Sequence, residues 1–278
     1  MKKILLLPLG LLVCLCTMAQ NQTTQPAKPS AKANKKAKEN SKARLHEEDE
    51  IIFNKHSAFG IKLATDGYGI SFEKGKYKTP RKTTLLQFEF NEKKHPKEEK
   101  QSIGVDAFGQ LNQAIYGKVN NFYQFKIGMG QQYLIGGKGN KNGVAVTAIG
   151  AGGISAGLMK PYYLDVVDAN TRQTVSVPAK DFYMDTLGQR YENVVLGNSG
   201  PFKGWGKIKF APGLHAKAAL RFDYAKFNPT IAAIEAGVNA EYYFTDVEQM
   251  VNYVSLGGVN PKKFFFNAYL TILFGKRK

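Results

Sequence analysis

The stretch KKFFFNAYLTILF, residues 262–274, decides the fold. From Phe264 onward every second side chain is apolar, while the alternate face carries Asn267, Tyr269 and Thr271. This period of two predicts a β-strand with one apolar and one wetter face. As an open sheet edge such a strand would promote aggregation, whereas in a closed barrel it pairs with the first strand. We therefore expect a closing strand whose outward side chains include Phe264, Phe266, Leu270, Ile272 and Phe274.

Seven further candidate strands precede this one. They comprise residues 59–65, 68–74, 84–92, 121–135, 143–159 and 207–224, and a stretch from Pro229 to about Thr245. The first two flank Asp66 and Gly67, a strong hairpin signal, and a two-residue turn there would pair Leu63 with Ile70. Residues 143–159 are almost all small or β-branched, which indicates that something bulky lies across this strand inside the barrel.

The connections between the candidate strands alternate in length. Residues 75–82, 136–142 and 226–229 form short connections, whereas 93–119, 160–206 and 246–261 form long ones. All the long loops then share one end of an up-and-down sheet, and both termini share the other. An even strand number with this alternation is typical of outer-membrane barrels, as is a sequence with 28 Gly, 14 Tyr and 18 Phe. The predicted fold class is all-β: an eight-stranded antiparallel up-and-down transmembrane β-barrel over residues 55–278.

The N-terminal region predicts export. Residues 1–19 have a basic start, an apolar centre and small residues before a cut after Ala19, as in a signal peptide. The alternative, a spanning anchor, needs an apolar run of roughly 20 residues, which is longer than this one. Residues 20–54 predict a disordered basic periplasmic tail that ends in the acidic boundary HEEDE. This tail is either a linker without a partner or an electrostatic tether to lipid head groups, the cell-wall polymer or an acidic protein.

The chain resembles the small outer-membrane β-barrel proteins of Gram-negative bacteria. More narrowly, three segments look like an outer-membrane barrel family of the Bacteroidota: GKGNKNGVAVTAIGAGGISAGLMKPYYLDVV, GWGKIKFAPGLHAKAALRF and FFFNAYLTILFGKRK. The resemblance covers roughly residues 55–278. It implies an outer-membrane location and a barrel fold, and it brings no catalytic motif.

The wetter faces of the last strands predict a ladder of charges in the lumen. A turn centred on Asn228 sets Arg221 opposite Glu235, and the same register continues along both strands. Eight strands leave an interior just wide enough for side chains, so we expect these charges to fill the lumen in pairs. The alternative is a proton- or solute-conducting polar track. The predicted ladder comprises Lys209, His215, Lys217, Arg221, Glu235, Asn239 and Glu241.

The longest predicted loop, residues 160–206, is rich in aromatic side chains. These either pack the loop into a cap or form a partner-binding surface, where Tyr, Trp and Phe concentrate interface energy. The runs VSV and ENVVL within the loop could extend the barrel strands above the membrane. The aromatic set comprises Tyr162, Tyr163, Phe182, Tyr183, Tyr191, Phe202 and Trp205.

Catalytic and cofactor signals are weak. The two cysteines, Cys14 and Cys16, lie in the predicted signal peptide, and no two of the four histidines have zinc-ligand spacing beside a carboxylate. We therefore predict no catalytic residue, no metal and no cofactor. The enzymatic alternative is a loop-borne hydrolase or acyltransferase that uses loop carboxylates, namely Asp165, Asp168, Asp181 and Asp185.

The sequence thus favours a non-enzymatic outer-membrane barrel that serves as a structural or accessory subunit of an envelope assembly or secretion complex. Its expected partners are outer-membrane lipid and other envelope proteins, which would bind the outer loops and the basic tail. Nucleic acid is not expected, because the exported tail has no interleaved aromatics. The alternatives are a transport barrel for small or hydrophobic solutes, a membrane enzyme, and a soluble lipocalin-like barrel.

Overall fold

The computed structural model describes residues 53–105, 111–137, 143–185, 190–224, 229–251 and 260–278. The predicted signal peptide and nearly all of the predicted basic tail lie outside the described residues. In the described part, no helix is both long and apolar enough to cross a membrane.

The described chain is almost entirely β-structure. Its strands, in chain order, are β1 (Lys55–Ala64), β2 (Gly67–Thr79), β3 (Lys82–Lys93), β4 (Lys100–Val105), β5 (Leu111–Ile115), β6 (Asn120–Gly136), β7 (Ala145–Pro161), β8 (Tyr163–Asp168), β9 (Thr174–Pro178), β10 (Tyr191–Asn198), β11 (Lys209–Asp223), β12 (Thr230–Val247) and β13 (Lys262–Arg277). The helix α1 (Ala179–Met184) and a 3₁₀ turn (Trp205–Lys207) lie between strands.

Eight of these strands, β1, β2, β3, β6, β7, β11, β12 and β13, close into one antiparallel barrel. Each barrel strand pairs with the barrel strands before and after it in the chain, which confirms the predicted up-and-down barrel. We call the end that carries the three long connections and the tight β1–β2 turn the loop end, and the opposite end the turn end.

The closing strand β13 behaves as its alternation predicts. It pairs with β1 along its length, for example Phe59 with Phe274 and Leu63 with Leu270. The five predicted outward side chains are exposed, while Asn267, Tyr269 and Thr271 are buried in the lumen. The strand also continues past Phe274 to Arg277, whose guanidinium turns inward and pairs with Asp223.

The predicted register of the first hairpin is wrong by two residues. Leu63 pairs with Tyr68 rather than with Ile70, and the turn consists of Thr65 and Asp66. The Asp66 carboxylate accepts hydrogen bonds from side chains of β3 and β13, which holds it in the turn. Gly67 instead begins β2, where a Cβ atom would lie 2.0 Å from the carbonyl oxygen of Glu92. A shift of two leaves every side chain on its predicted face.

The small residues of β6 and β7 make room for rings inside the barrel. A Cβ atom on Gly128 would lie 2.8 Å from the imidazole of His215. One on Gly157 would lie 2.8 Å from Phe122 and 3.0 Å from Tyr243. The bulky groups predicted to lie across the small-residue strand β7 are therefore present.

The barrel exterior is apolar around its circumference. Every barrel strand presents exposed large apolar side chains, among them Phe59, Phe72, Phe90, Met129, Ile154, Leu220, Val238 and Ile272. At the turn end, this apolar belt gives way to outward lysines on β13, β1 and β2. We call Lys55, Lys74, Lys76 and Lys276 the lysine row. Lys55 pairs directly with Lys76, and no lysine of the row lies within 4.0 Å of a carboxylate in the described segments.

The β3–β6 and β7–β11 connections fold into a cap at the loop end. The cap consists of the β4–β5 hairpin, α1 and a sheet in the order β9–β8–β10. The runs VSV and ENVVL thus belong to β9 and β10 of this separate sheet. They do not extend the barrel strands, because both pair with β8 and neither pairs with a barrel strand.

Candidate functional site: the charged lumen and the cap

A network of buried charges runs through the barrel lumen. Six basic and six acidic side chains contribute, so their formal charges cancel. The basic members are Lys62, Lys93, Lys126, Lys217, Arg221 and Arg277, and the acidic members are Asp66, Glu73, Glu89, Glu235, Glu241 and Asp223.

Arg221 lies at the centre of the network. Its two terminal nitrogens donate to the two oxygens of Glu73, each at 2.7 Å, in a bidentate pair. The same guanidinium donates to Glu235 at 2.6 and 3.1 Å. One arginine on β11 therefore joins β2, on the far side of the lumen, to its neighbour β12. Bidentate pairing of this kind is strong and directional.

Two lysines continue the network towards the loop end. Lys217 lies 3.0 Å from Glu89 and 3.3 Å from Glu235, and Lys62 lies 2.9 Å from Glu89. The Tyr269 hydroxyl donates to Glu235 at 2.7 Å, and its ring lies 3.9 Å below the Lys62 ammonium. Each carboxylate here contacts more than one cation, which offsets the cost of its burial.

Glu241 organises the last layer of charges. Its carboxylate pairs with Lys126 and with Lys93, the latter at 3.1 Å, and accepts a hydrogen bond from Gln124 at 2.6 Å. Next to this layer, the His215 ring lies 3.1 Å from the Ser155 hydroxyl. A cavity beside Asp66 has a volume of about 10 Å³, which is room for about one water molecule.

An aromatic plug closes the lumen above these charges. The rings of Phe122, Tyr243 and Phe265 have centroids 5.3 to 5.9 Å apart. Phe122 and Tyr243 are fully buried and pack with Met159 and Val247. Among the described residues, the lumen is therefore filled by paired charges and covered at the loop end by packed rings.

Six of the seven predicted ladder residues lie in the lumen, where β11 and β12 pair in the predicted register. Arg221 is opposite Glu235, Lys217 is opposite Asn239 and His215 is opposite Glu241. Lys209 is the exception, because it is exposed. The β11–β12 ladder ends at Gly213, so the barrel has no wall on that side of Lys209.

Sequence reasoning missed the cross-lumen half of the network. Lys62, Glu73 and Glu89 alternate with outward apolar residues, so their inward direction is visible in the sequence. Their partners are not visible, because Glu73 and Arg221 are 148 residues apart and meet only through the stagger of the closed barrel.

The aromatic loop residues divide into two groups. Tyr162, Phe182, Tyr183 and Tyr191 pack with Leu164 and Val166 in the cap core, and Tyr183 also lines a cleft at the edge of the cap. Tyr163 is half-buried. Phe202 and Trp205 remain on the surface, with exposed fractions of 88% and 51%. Burial in a shared core explains the first group, because these rings cover the apolar side chains of the cap sheet and α1, including Leu164, Val166 and Val177.

Tyr183 fastens the cap to the segment that leads into the barrel. Its hydroxyl accepts a hydrogen bond from the Gly117 N–H at 2.8 Å, and burial raises the pKa of Tyr183 to about 12. We expect Tyr183→Phe to destabilise the cap by about 1–3 kcal/mol, because the N–H is left without its acceptor. Hydrogen exchange at Gly117 should speed up accordingly, with Tyr163→Phe as the control. Unchanged exchange would contradict this role.

The predicted loop carboxylates mostly serve the local backbone. Asp168 accepts the N–H groups of Thr171 and Asn170, each at 2.9 Å, which lowers the pKa of Asp168. Asp185 likewise accepts two backbone N–H groups, from Arg190 and Tyr191.

Asp165 is the loop carboxylate closest to candidate nucleophiles. It accepts the hydroxyls of Ser176 and Ser199, and the Lys203 ammonium donates to Ser176 at 2.5 Å. Lys203 is exposed. In the described segments, no three histidine, cysteine or acidic side chains form a group that could hold a metal.

The fold and its interior define a class: small closed barrels of eight strands with a side-chain-filled lumen and an apolar exterior. Several solved structures are similar to much of the chain. They include Ail of Yersinia pestis (10% identity, TM-score 0.36, 82% of this chain and 100% of that one), Neisserial surface protein A (8%, 0.37, 81% and 97%) and the N-terminal β-barrel domain of Pseudomonas aeruginosa OprF (11%, 0.34, 80% and 98%).

These three neighbours are small outer-membrane β-barrels of Gram-negative bacteria. At such low identities and TM-scores, the likeness carries no argument about what this chain binds. No family model and no curated protein matches the chain.

Proposed function

We propose that the chain is an integral β-barrel of a Gram-negative outer membrane. The observation that carries this proposal is the reversed polarity of the barrel: charges fill the interior, and large apolar side chains cover the exterior. A soluble lipocalin-like barrel would have the opposite arrangement. The lysine row supports the same conclusion, because it lies where the apolar belt ends and anionic head groups would begin.

A charge introduced on the barrel exterior should therefore lower the free energy of unfolding most where the side chain lies deepest in the bilayer. Leu270→Lys places an ammonium at the middle of β13, and we expect it to lower the free energy of unfolding from phospholipid vesicles by about 2–4 kcal/mol. Ser57→Lys, at an outward position that pairs with Lys74 and Lys276 of the lysine row, is the matched control and should cost only about 0–1 kcal/mol. Equal costs at the two positions would contradict membrane insertion.

We further propose that the barrel is non-enzymatic and does not conduct. The electroneutral lumen and the aromatic plug support this proposal, since a conducting path would have to displace paired charges and three packed rings. Planar-bilayer recordings of the refolded protein should show no single-channel steps, and Arg221→Met should not create any. Regular conductance steps in the native protein would instead favour the transport alternative.

A structural or accessory role in an envelope assembly or secretion complex needs a surface for partners. The cap provides a cleft of about 140 Å³. Met184 at its edge is 59% exposed, and the pair of Lys180 and Glu248 lies at its rim. We define this cap cleft by Val119, Tyr183, Met184, Met250 and Pro261.

An apolar side chain of another envelope protein would fit the cap cleft, and Phe202 would add a secondary contact. The basic tail, residues 20–54, precedes β1 at the turn end and would contact other envelope components. Membership of the Bacteroidota-type barrel family is part of the same proposal.

Site-specific crosslinking tests this role. A photo-crosslinking residue at Met184 should join the barrel to a defined envelope protein in native outer membranes. The same residue at Thr171, which is exposed on the β8–β9 turn of the cap, should not. Recovery of the barrel alone from both positions, after gentle extraction, would count against an accessory subunit.

A further inference from the structure

A pocket lies between the barrel exterior and the loop that precedes β11. Residues 198–205 fold over the outward faces of β6 and β7 at the loop end and enclose about 290 Å³. The pocket is lined by outward side chains of three barrel strands, Glu92 of β3, Asn121 and Tyr123 of β6 and Lys160 of β7, and by Lys203 from the loop. We call this the Lys160 pocket.

Lys160 is a buried cation on the outward face of β7. The residue is only 2% exposed, and its ammonium donates to the carbonyl oxygen of Pro201 and lies 5.0 Å from the centre of the Trp205 ring. Over all the described segments, no carboxylate lies within 4.0 Å of this ammonium. An ammonium has three N–H donors and the Pro201 carbonyl takes one of them, so Lys160 can donate to a further acceptor in the pocket.

The pocket also carries a negative charge. Glu92 lines the same space and accepts the Tyr68 hydroxyl at 2.7 Å, an arrangement that leaves carboxylate lone pairs for a further donor. Lys203 adds a second ammonium at the pocket rim. A ligand that complements both signs would carry an anionic group towards the lysines and a cationic group towards Glu92.

The position of the pocket favours a lipid over a soluble ligand. The rings of Phe90, Tyr123 and Trp205 form a stacked row on the outward face, with centroids 6.1 and 5.9 Å apart. Phe90 belongs to the apolar belt, whereas Trp205 belongs to the loop. Aromatic rings of this kind mark the boundary between acyl chains and head groups. The pocket lies against the outward faces of β3, β6 and β7.

We propose that the Lys160 pocket binds the phosphoethanolamine head group of a membrane lipid. The phosphate oxygens accept from Lys160 and Lys203, while the ligand's ammonium pairs with Glu92 and lies against the aromatic row. The inference rests on the membrane location proposed above, and it assigns a ligand to a site that the accessory role does not use.

The single tryptophan of the sequence reports on this pocket directly, because it is Trp205. Refolded protein in neutral detergent micelles is titrated with short-chain phosphatidylethanolamine, phosphatidylcholine and phosphatidic acid, and with free phosphorylethanolamine. We expect a saturable change in Trp205 fluorescence, tightest for phosphatidylethanolamine. We expect phosphatidylcholine to bind more weakly, because its quaternary ammonium cannot donate a hydrogen bond to Glu92.

Two variants separate the two charges. Lys160→Met should lower the affinity for both phosphatidylethanolamine and phosphatidic acid by at least about tenfold, because each lipid loses a charge-assisted hydrogen bond. Glu92→Gln should lower the affinity for phosphatidylethanolamine but not for phosphatidic acid, which has no ammonium to pair with Glu92. Lys263→Met, which changes an exposed lysine outside the pocket, is the matched control and should leave every affinity unchanged. If Lys160→Met does not fold, Lys203→Met provides the same test at an exposed position.

Three results would overturn the assignment. One is the same fluorescence change for every head group, and another is unchanged affinity in Lys160→Met and Lys203→Met. The third is binding of free phosphorylethanolamine as tight as that of the lipid, which would point to a soluble ligand. Failure to insert into lipid nanodiscs would instead contradict the membrane location, so the two proposals fail by different measurements.

Discussion

Arg221→Met is expected to lower the free energy of unfolding by about 3–5 kcal/mol. The substitution keeps most of the side-chain volume but leaves the Glu73 and Glu235 carboxylates buried around an apolar chain, where both have only 2% of their surface exposed. Uncompensated buried charge is among the largest single effects that a substitution can have. Urea unfolding in phospholipid vesicles, followed by Trp205 fluorescence, measures the difference.

Two controls distinguish this effect from a general loss of charge. Lys263→Met removes an exposed cation that lies 3.9 Å from Asp246, and surface pairs of this kind contribute at most about 1 kcal/mol. The double variant Arg221→Met, Glu73→Gln should be more stable than Arg221→Met alone, because Glu73 loses both of its guanidinium bonds, whereas Glu235 keeps its ion pair with Lys217. If Arg221→Met were as stable as Lys263→Met, the lumen network would not stabilise the barrel.

Deletion of residues 275–278 should destabilise the barrel by at least about 3 kcal/mol. The deletion removes three residue pairs between β1 and β13 at the turn end, and it leaves Asp223 without the Arg277 guanidinium. It also removes the Lys278 carbonyl oxygen that accepts the N–H groups of Asn54 and Lys55, each at 2.8 Å. Electrophoresis of samples that have not been boiled measures this effect, because a destabilised barrel no longer migrates as the compact folded form.

The matched control for the deletion is Lys276→Gln. Lys276 lies in the same segment but points outward and is exposed, so its replacement keeps the backbone pairs and the Arg277 contact. We expect its mobility to equal that of the unmodified protein. A deleted chain that still migrated as the compact form would show that closure does not depend on the last residues of β13.

The barrel was largely predictable because its determinants are local. A period of two sets the face of each side chain, so the alternation around Leu270 was enough to orient β13. Few residues connect β11 to β12, so the pairing of Arg221 with Glu235 followed from counting residues on either side of the connection. The same counting failed at the first hairpin, because contacts of Asp66 with β3 and β13 decide which residues form the turn.

The cap and the cross-lumen contacts were not predictable for a common reason. Both depend on groups that are distant in the chain and approach only in the folded protein. The aromatic density of residues 160–206 was visible, but its division into buried Tyr191 and exposed Phe202 depends on the β8–β10 pairing. The Lys160 pocket likewise needs the loop near Pro201 to fold back over the barrel exterior, which no spacing in the sequence indicates.

The distance along the chain between ion-pair partners has a consequence for assembly. Glu73 and Arg221 are 148 residues apart, and Glu89 and Lys217 are 128 apart, so neither pair can form early by a local search. Until β13 meets β1, the charged face of the open sheet stays hydrated, which keeps the assembly intermediate soluble on that side. The expulsion of water from the lumen then coincides with closure. We therefore expect formation of the charge pairs to be the last step of folding rather than its nucleus.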